Sequence, residues 1–260
     1  MPASSEDFAV VTGASSGIGA AIARRLAGDG RALALLGRDR TRLEATAEAC
    51  RRAGAPLVRI ALADQCDRAA FAEALAGFEA ERPIGLFVAS AGILDGRRDG
   101  ETIERAETAA TVIDTDFCAT VDAVHRVLPA MLGRGGGAIV LVASLAAFAP
   151  LPDAPAYSGA KAGLLAWGLG MREALRGSGV RVCVACPSYV TSAMTARHIG
   201  PHPGEIDADD AARRILDGSR RDRAVIAFPF ATGWLARLAL LAPEAIRRRA
   251  MGHLRFHIEP

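Results

Sequence analysis

The sequence predicts an α/β protein built on a doubly wound, mostly parallel sheet with helices on both faces. Short, continuous apolar runs alternate along the chain with longer segments of helical periodicity, as expected when strands are buried on both faces. The 260 residues, 51% hydrophobic and 23% charged, suffice for one large unit with a full core and argue against disorder. No internal linker breaks the pattern, so residues 1–260 are read as a single domain.

The elements follow in order. Phe8 to Thr12 predicts the first strand, which a glycine turn joins to a helix from Gly17 to Asp29. Ala32 to Leu36 is the second strand, and Arg40 to Ala53 a charged helix. Leu57 to Ala61 is a third strand, Arg68 to Glu81 a helix, and Leu86 to Ser90 a fourth strand. Thr102 to Leu132 carries a long helical period, read as two helices. Ala138 to Ala143 is the fifth strand, Tyr157 to Arg176 a helix, and Arg181 to Ala185 the sixth strand. A short helix from Ala208 to Asp217 and a strand from Ala224 to Phe228 close the sheet.

Composition narrows the functions available. The formal net charge is +2 with dispersed basic residues, and no basic stripe points to nucleic acid. Five cysteines include the pair Cys183 and Cys186, spaced as a redox or zinc motif. They lie in an apolar strand, where residues three apart face opposite ways, and no second pair or ligand-spaced histidines complete a metal site. Core cysteines with no metal, in the reducing cytoplasm, are therefore expected. The polar, acidic start from Met1 to Asp7 predicts no secretory leader. No run reaches the roughly 20 apolar residues of a membrane-spanning helix.

The first strand ends in Thr12-Gly13-Ala14-Ser15-Ser16-Gly17-Ile18-Gly19 and a helix follows at once. Glycines let the backbone turn sharply and approach a pyrophosphate, while the helix N-terminus offers unpaired N–H groups and a positive dipole end. Between strand and helix of a βαβ unit, this turn points to a dinucleotide cradled by Gly13, Ser15, Ser16, Gly17, Ile18 and Gly19, and to a Rossmann-like fold. The second strand ends Leu36-Gly37-Arg38-Asp39-Arg40. Glycine stands where an acidic residue would bind the ribose 2′-hydroxyl of NAD(H), and the Arg38 guanidinium suits the 2′-phosphate of NADP(H). The alternative leaves Arg38 as a solvated charge and puts Asp39 on the ribose.

Tyr157-Ser158-Gly159-Ala160-Lys161 opens a helix, so residues 157 and 161 share one face. A free phenol, with a pKa near 10, is a poor acid/base at neutral pH, and a fixed ammonium beside it favours phenolate. Tyr157 can then give a proton to a developing alkoxide or remove one from an alcohol. Ser144, at the end of the fifth strand, can hydrogen-bond a carbonyl oxygen as negative charge arrives there. Tyr157 is one of two tyrosines, and Lys161 is the sole lysine among 31 basic residues, the rest arginine. Arginine replaces lysine as a solvated charge but poorly where a compact, flexible ammonium must reach both phenol and cofactor.

In this order and spacing the motifs resemble the short-chain dehydrogenase/reductase family over residues 8 to 195: the glycine turn, Asp64, Ala91-Gly92, Ser144, Tyr157 with Lys161, and Pro187 to Thr191. The resemblance implies Asp64 near the adenine and Ala91 and Gly92 beside the cofactor. It also implies Pro187, Val190 and Thr191 running past the nicotinamide, with Thr191 contacting it, and a homodimer or homotetramer through the two long helices. Two departures stand out. The family's Asn-Asn-Ala-Gly is Ala89-Ser90-Ala91-Gly92, and its catalytic asparagine aligns with Asp116 in a chain without any asparagine. Aspartate can accept the same hydrogen bonds but adds negative charge near Lys161, so a working proton relay with altered pH dependence is expected.

Residues 192–260 are read as a substrate loop and a C-terminal amphipathic tail. Ser192 to Glu205 carries His198 and His202 among prolines and glycines, and without a third ligand a lid is favoured over a metal site. The tail holds Phe228 to Leu235, Leu238, Leu240 and Leu241, then Arg247-Arg248-Arg249 and Arg255. Such a segment can rest peripherally on an anionic membrane, close a pocket, or enter a subunit contact, and each favours a lipophilic or bulky substrate. The expected function is NADP(H)-dependent interconversion of a carbonyl and an alcohol. Its rivals are an epimerase or dehydratase with retained cofactor and a non-catalytic NADP(H)-sensing or scaffold protein.

Overall fold

The computed structural model describes residues 7–192, 194–239, 242–245, 249 and 255–259. Among the described residues there are nine strands: β1 (Phe8–Val11), β2 (Ala32–Gly37), β3 (Val58–Leu62), β4 (Ile84–Ala89), β5 (Gly137–Val142), β6 (Val180–Pro187), β7 (His198–Ile199), β8 (Val225–Phe228) and β9 (His257–Ile258). Seven of them form a parallel sheet in the order β3-β2-β1-β4-β5-β6-β8. The chain runs outward from β1 to β3, then returns to the far side of β1 with β4. That reversal leaves a crevice above the carboxyl ends of β1 and β4, where open α/β sheets bind ligands.

The helices are α1 (Gly17–Gly28), α2 (Arg40–Arg52), α3 (Arg68–Glu81), α4 (Ala106–Ile113), α5 (Ala119–Arg134), α6 (Pro155–Ala174), α7 (Ala208–Arg220) and α8 (Phe230–Ala239). Strand residues alternate between two cores. Ala9, Val11, Leu33 and Leu35 pack with Ile22 of α1, Leu43 of α2 and Ile215 of α7. Phe8, Val10, Phe87 and Ile139 pack with Leu75 of α3, Val124 of α5 and Leu164 of α6. Cys183 falls in the first core and Cys186 in the second, both as free thiols, so the strand reading of that pair holds.

Four features depart from the sequence reading. The long helical segment is interrupted by a π-helical turn, Asp114–Cys118, between α4 and α5. Helix α6 begins at Pro155 rather than Tyr157, because proline's fixed φ and missing N–H suit a first helical position. Part of the apolar tail folds as α8, with Phe230, Trp234, Leu235 and Leu238 facing outward. Residues 255–259 form a strap whose β9 pairs antiparallel with β7 of the substrate loop. Leu240, Leu241, Arg247 and Arg248 lie outside the described residues. No described helix is long and apolar enough to cross a membrane.

Candidate active site

The carboxyl ends of the central strands open onto a cleft of about 930 Å³. At its floor, the buried Thr12 hydroxyl oxygen accepts hydrogen bonds from the amides of Ser90 (3.0 Å) and Ala91 (2.9 Å). This ties the end of β1 to the end of β4. Gly13 adopts φ +64°, and a Cβ there would lie 2.7 Å from Ala91 Cα. A Cβ on Gly19 would collide with the Gly13 carbonyl oxygen, so the turn admits only glycine at both positions. Ser16, the N-cap of α1, makes no side-chain cap bond. The first-turn amides therefore lack a side-chain acceptor, beside Ser15, Gly17 and Ile18 in the cleft wall. Glycines whose side chains would fill the cradle and an uncapped helix start fit a pyrophosphate.

Arg38 extends from the end of β2, 65% exposed, with Nη1 3.2 Å from Asp64 Oδ2. Burial draws the Asp64 carboxyl up, but the Cys66 amide (2.9 Å) and Arg38 together hold it below the ordinary carboxylate range. Asp39, also in the cleft wall, caps α2, accepting from the Arg42 amide at 3.0 Å and pairing with the Arg42 guanidinium at 3.2 Å. Ala91 and Gly92 line the same wall.

The reacting end is built from three elements. Ser144 follows β5, and its Oγ accepts from the Ala146 amide at 3.1 Å, which fixes the hydroxyl at a short 3₁₀ turn. Tyr157 and Lys161 stand one turn apart on α6, with the ammonium 5.5 Å from the phenol ring centre. Lys161 Nζ donates to the Val142 carbonyl (3.2 Å) and lies 3.0 Å from Asp116 Oδ2 in a buried ion pair. Oδ2 has no partner besides this ion pair. Asp116 Oδ1 accepts from the Ile93 amide at 2.7 Å. A Cβ on residue 92 would reach within 3.0 Å of the carboxylate, so Gly92 makes room for it.

Asp116 sits in the π turn, which carries an extra residue and so re-aims its side chain toward Lys161. Gln65 braces that turn by donating to the Thr115 carbonyl at 2.7 Å. Gln65 escaped the sequence reading, although it adjoins Asp64, and Thr12 entered that reading only as the first residue of the glycine turn. Burial draws the Lys161 ammonium down, but the charge of Asp116 and the nearby phenol outweigh it and hold it above its usual value. Burial pushes the Tyr157 phenol up, the Lys161 charge pulls it down, and Asp116 pushes it up again. The net direction is upward. Lys161 alone does not make the phenol acidic here, because burial and the aspartate outweigh it.

At the end of β6 and just past it, Pro187 and Val190 line the cleft as expected, but Thr191 does not. Its hydroxyl donates to Glu205 Oε1 at 3.0 Å on the protein exterior. Ser192 lines the cleft instead, 3.5 Å from where a Gly17 Cβ would sit. The residue of this stretch that faces the cleft is thus one position further on than expected, since neighbours in extended chain face opposite ways. Tyr189, not singled out from sequence, also lines the cleft. Arg255 is not a free basic charge of the tail. Its Nε donates to the fully buried Asp153 (2.9 Å), which also receives the Arg97 guanidinium (2.8 Å) and the Phe256 amide (2.9 Å). The strap thereby packs Phe256 and Ile258 against Leu94, Leu151 and Tyr157. Among the described residues no cluster of three His, Cys, Asp or Glu side chains forms a metal site.

Comparisons with known proteins point one way. Residues 7–200 match the profile of the short chain dehydrogenase family. An uncharacterized oxidoreductase of Myxococcus xanthus is 33% identical over 248 residues, covering 95% of this chain and 97% of that one. A short-chain dehydrogenase from Sphingobium yanoikuyae, solved in complex with NADPH, superposes with a TM-score of 0.78 at 29% identity, covering 96% of both chains. One from Burkholderia phymatum in complex with NAD gives a TM-score of 0.83 at 23% identity, covering 93% of this chain and 95% of that one, a likeness of fold.

Proposed function

The chain belongs to the short-chain dehydrogenase family, and on that premise we propose that it uses NADP(H) to interconvert a lipophilic carbonyl compound and its alcohol. The observation that carries the reading is the single cleft in which the glycine cradle, Ser144, Tyr157 and Lys161 meet. When bound, the nicotinamide cofactor supplies or takes up the hydride. Gly13, Ser15, Ser16, Gly17, Ile18 and Gly19 would hold its pyrophosphate, Asp64, Ala91 and Gly92 its adenosine side, and Pro187, Val190 and Ser192 its nicotinamide side. Ser144 donates a hydrogen bond to the carbonyl oxygen and steadies the charge that gathers there. Tyr157 passes its phenolic proton to that oxygen, or takes one back in the reverse direction. Lys161 orients the phenol and would hold the ribose, and Asp116 keeps Lys161 charged.

Arg38 supports NADPH over NADH, because a 2′-phosphate can replace Asp64 as its partner. Leu94, Leu145, Ala149, Leu151 and Ala236 line the cleft and favour an apolar substrate body. The outward apolar side of α8 suits a subunit contact or a peripheral lipid contact. The test is NADPH consumption against ketones of graded chain length. Turnover that rises with chain length and is lost in Tyr157→Phe is expected. Cofactor that copurifies and is never consumed would point instead to an epimerase or dehydratase.

A further inference from the structure

Helix α8 packs on β8, the edge strand of the sheet, and its two sides differ. Gly233 and Ala236 face inward: a Cβ on Gly233 would lie 3.3 Å from Ala227 Cβ, and Ala236 is buried in the core. Thr232 and Ala236 also line the catalytic cleft. The outer side carries Phe230, Trp234, Leu235 and Leu238, which are 76, 51, 70 and 51% exposed. Their spacing puts them on one face of the helix. Beside that face a second cavity, of about 380 Å³, opens over β8 between α7 and α8. Arg213, Arg214, Arg221, Arg223 and Arg237 line it, against a single carboxylate, Asp217. Phe230 and Trp234 line it as well, so the basic cavity and the apolar face share a border.

The charges in the cavity are not balanced from within. Asp217 is engaged by Arg220 at 3.3 Å, and Arg213 and Arg214 share Asp210. Among the described residues no carboxylate pairs with Arg221, Arg223 or Arg237. Rings hold Arg237 instead: its Cζ lies 5.3 Å from the Phe148 ring centre and 6.0 Å from that of Trp234. Three kinds of occupant fit an apolar face, and the charges choose among them. A second copy related by a two-fold axis would bring the same arginines against themselves. A small soluble anion would neutralise the cavity yet leave Phe230, Leu235 and Leu238 in water. An anionic bilayer answers both features. Its phosphates meet the guanidinium groups, the aliphatic side chains enter the boundary of the acyl chains, and Trp234 lies at the headgroup level that suits an indole.

We propose that the outer face of α8 docks the protein on an anionic phospholipid surface, with a lipid phosphate seated in the arginine cavity. Helix α8 then stands between the bilayer and the cleft that Thr232 and Ala236 line, which suits a lipophilic substrate. The docking itself does not rest on the reductase reading. The full chain is sedimented with vesicles of phosphatidylcholine and of an equimolar mixture of phosphatidylcholine and phosphatidylglycerol. Binding to the mixed vesicles alone is expected, weakening as salt screens the charges. The tryptophan emission should shift to the blue, a shift that Trp234→Phe removes. Replacing both Arg221→Gln and Arg223→Gln should weaken binding about tenfold or more, since each basic residue near an anionic surface contributes roughly fivefold. Replacing both Leu235→Ser and Leu238→Ser should weaken it as strongly. All four side chains are exposed, so thermal unfolding and NADPH binding by these variants should match the parent. No binding to the mixed vesicles overturns the proposal, and so does equal binding to both compositions that the arginine variant leaves unchanged. Calorimetric binding of glycerol phosphate without vesicle binding would make the cavity a soluble-anion site and overturn it too. A dimer that Leu235→Ser dissociates, without vesicle binding, would make the face a subunit contact and do the same. Vesicle binding is read without turnover, so its loss leaves the reductase reading intact, and a failure to reduce ketones leaves the docking surface intact.

Discussion

Asp116 shows how much one side chain can alter the behaviour of a site. Its carboxylate sits 3.0 Å from the Lys161 ammonium, with both groups buried. Removing one partner of such a pair leaves an uncompensated charge, so Asp116→Ala should cost about 3–5 kcal/mol in urea unfolding. Asp116→Asn tests charge rather than packing. Reduction needs the protonated phenol, whose raised pKa keeps it protonated until the pH exceeds that value. Asp116 contributes to the rise, so the asparagine variant should lose reductase activity at a lower pH than the parent. An unmoved alkaline limb would mean that the charge does not reach the phenol. At the cofactor end, Arg38→Ala should weaken NADPH at least about tenfold and NADH little, since charge-assisted hydrogen bonds contribute about 1.5–3 kcal/mol. Equal weakening in a binding titration would remove the 2′-phosphate assignment. Ser144, Tyr157, Lys161 and the glycine turn were legible because each needs a specific residue at a fixed offset from a strand end. Ser192 was not, because Thr191 beside it has the same chemistry and only the direction of the chain tells them apart.

Helix α6 carries Tyr157 and Lys161, and its seat on the sheet fixes the reacting geometry. A Cβ on Gly168 would lie 2.6 Å from Val184 Cγ2 and 2.7 Å from Leu141 Cδ1. Gly168→Ala should therefore push α6 outward and cost about 1–3 kcal/mol, with a loss of kcat. Gly170, on the same helix, meets nothing within 4 Å, and Gly170→Ala should stabilise by up to about 1 kcal/mol through helix propensity. Opposite shifts in melting temperature would bear this out, and equal shifts would refute the packing account. The main helices and strands were legible because apolar periodicity reports which face is buried. The π turn was not, since Ile113 to Cys118 contains no glycine or proline to mark it. Its extra residue shows only in the structure, where Gln65 holds the Thr115 carbonyl.

Across the whole molecule, the sheet supplies the cofactor side of the cleft and distant segments supply the substrate side. The strap brings residues 255–259 to Asp153 and to β7, pairings that leave no periodic trace in a sequence. Deleting residues 255–260 removes the apolar contribution of Phe256 and Ile258, about 1.5–3 kcal/mol for each side chain, and leaves Asp153 with fewer partners. Lower thermal stability and a higher KM for bulky ketones are expected, and neither should change if the strap is merely decorative. The central claim is that this cleft passes hydride from NADPH to a carbonyl carbon while Tyr157 provides the proton. It is tested most directly by supplying NADPH deuterated at the transferring position and weighing the alcohol product by mass spectrometry. One deuterium on the carbinol carbon, absent with Tyr157→Phe, is the predicted result. An alcohol without deuterium, or equal labelling by the tyrosine variant, would contradict it.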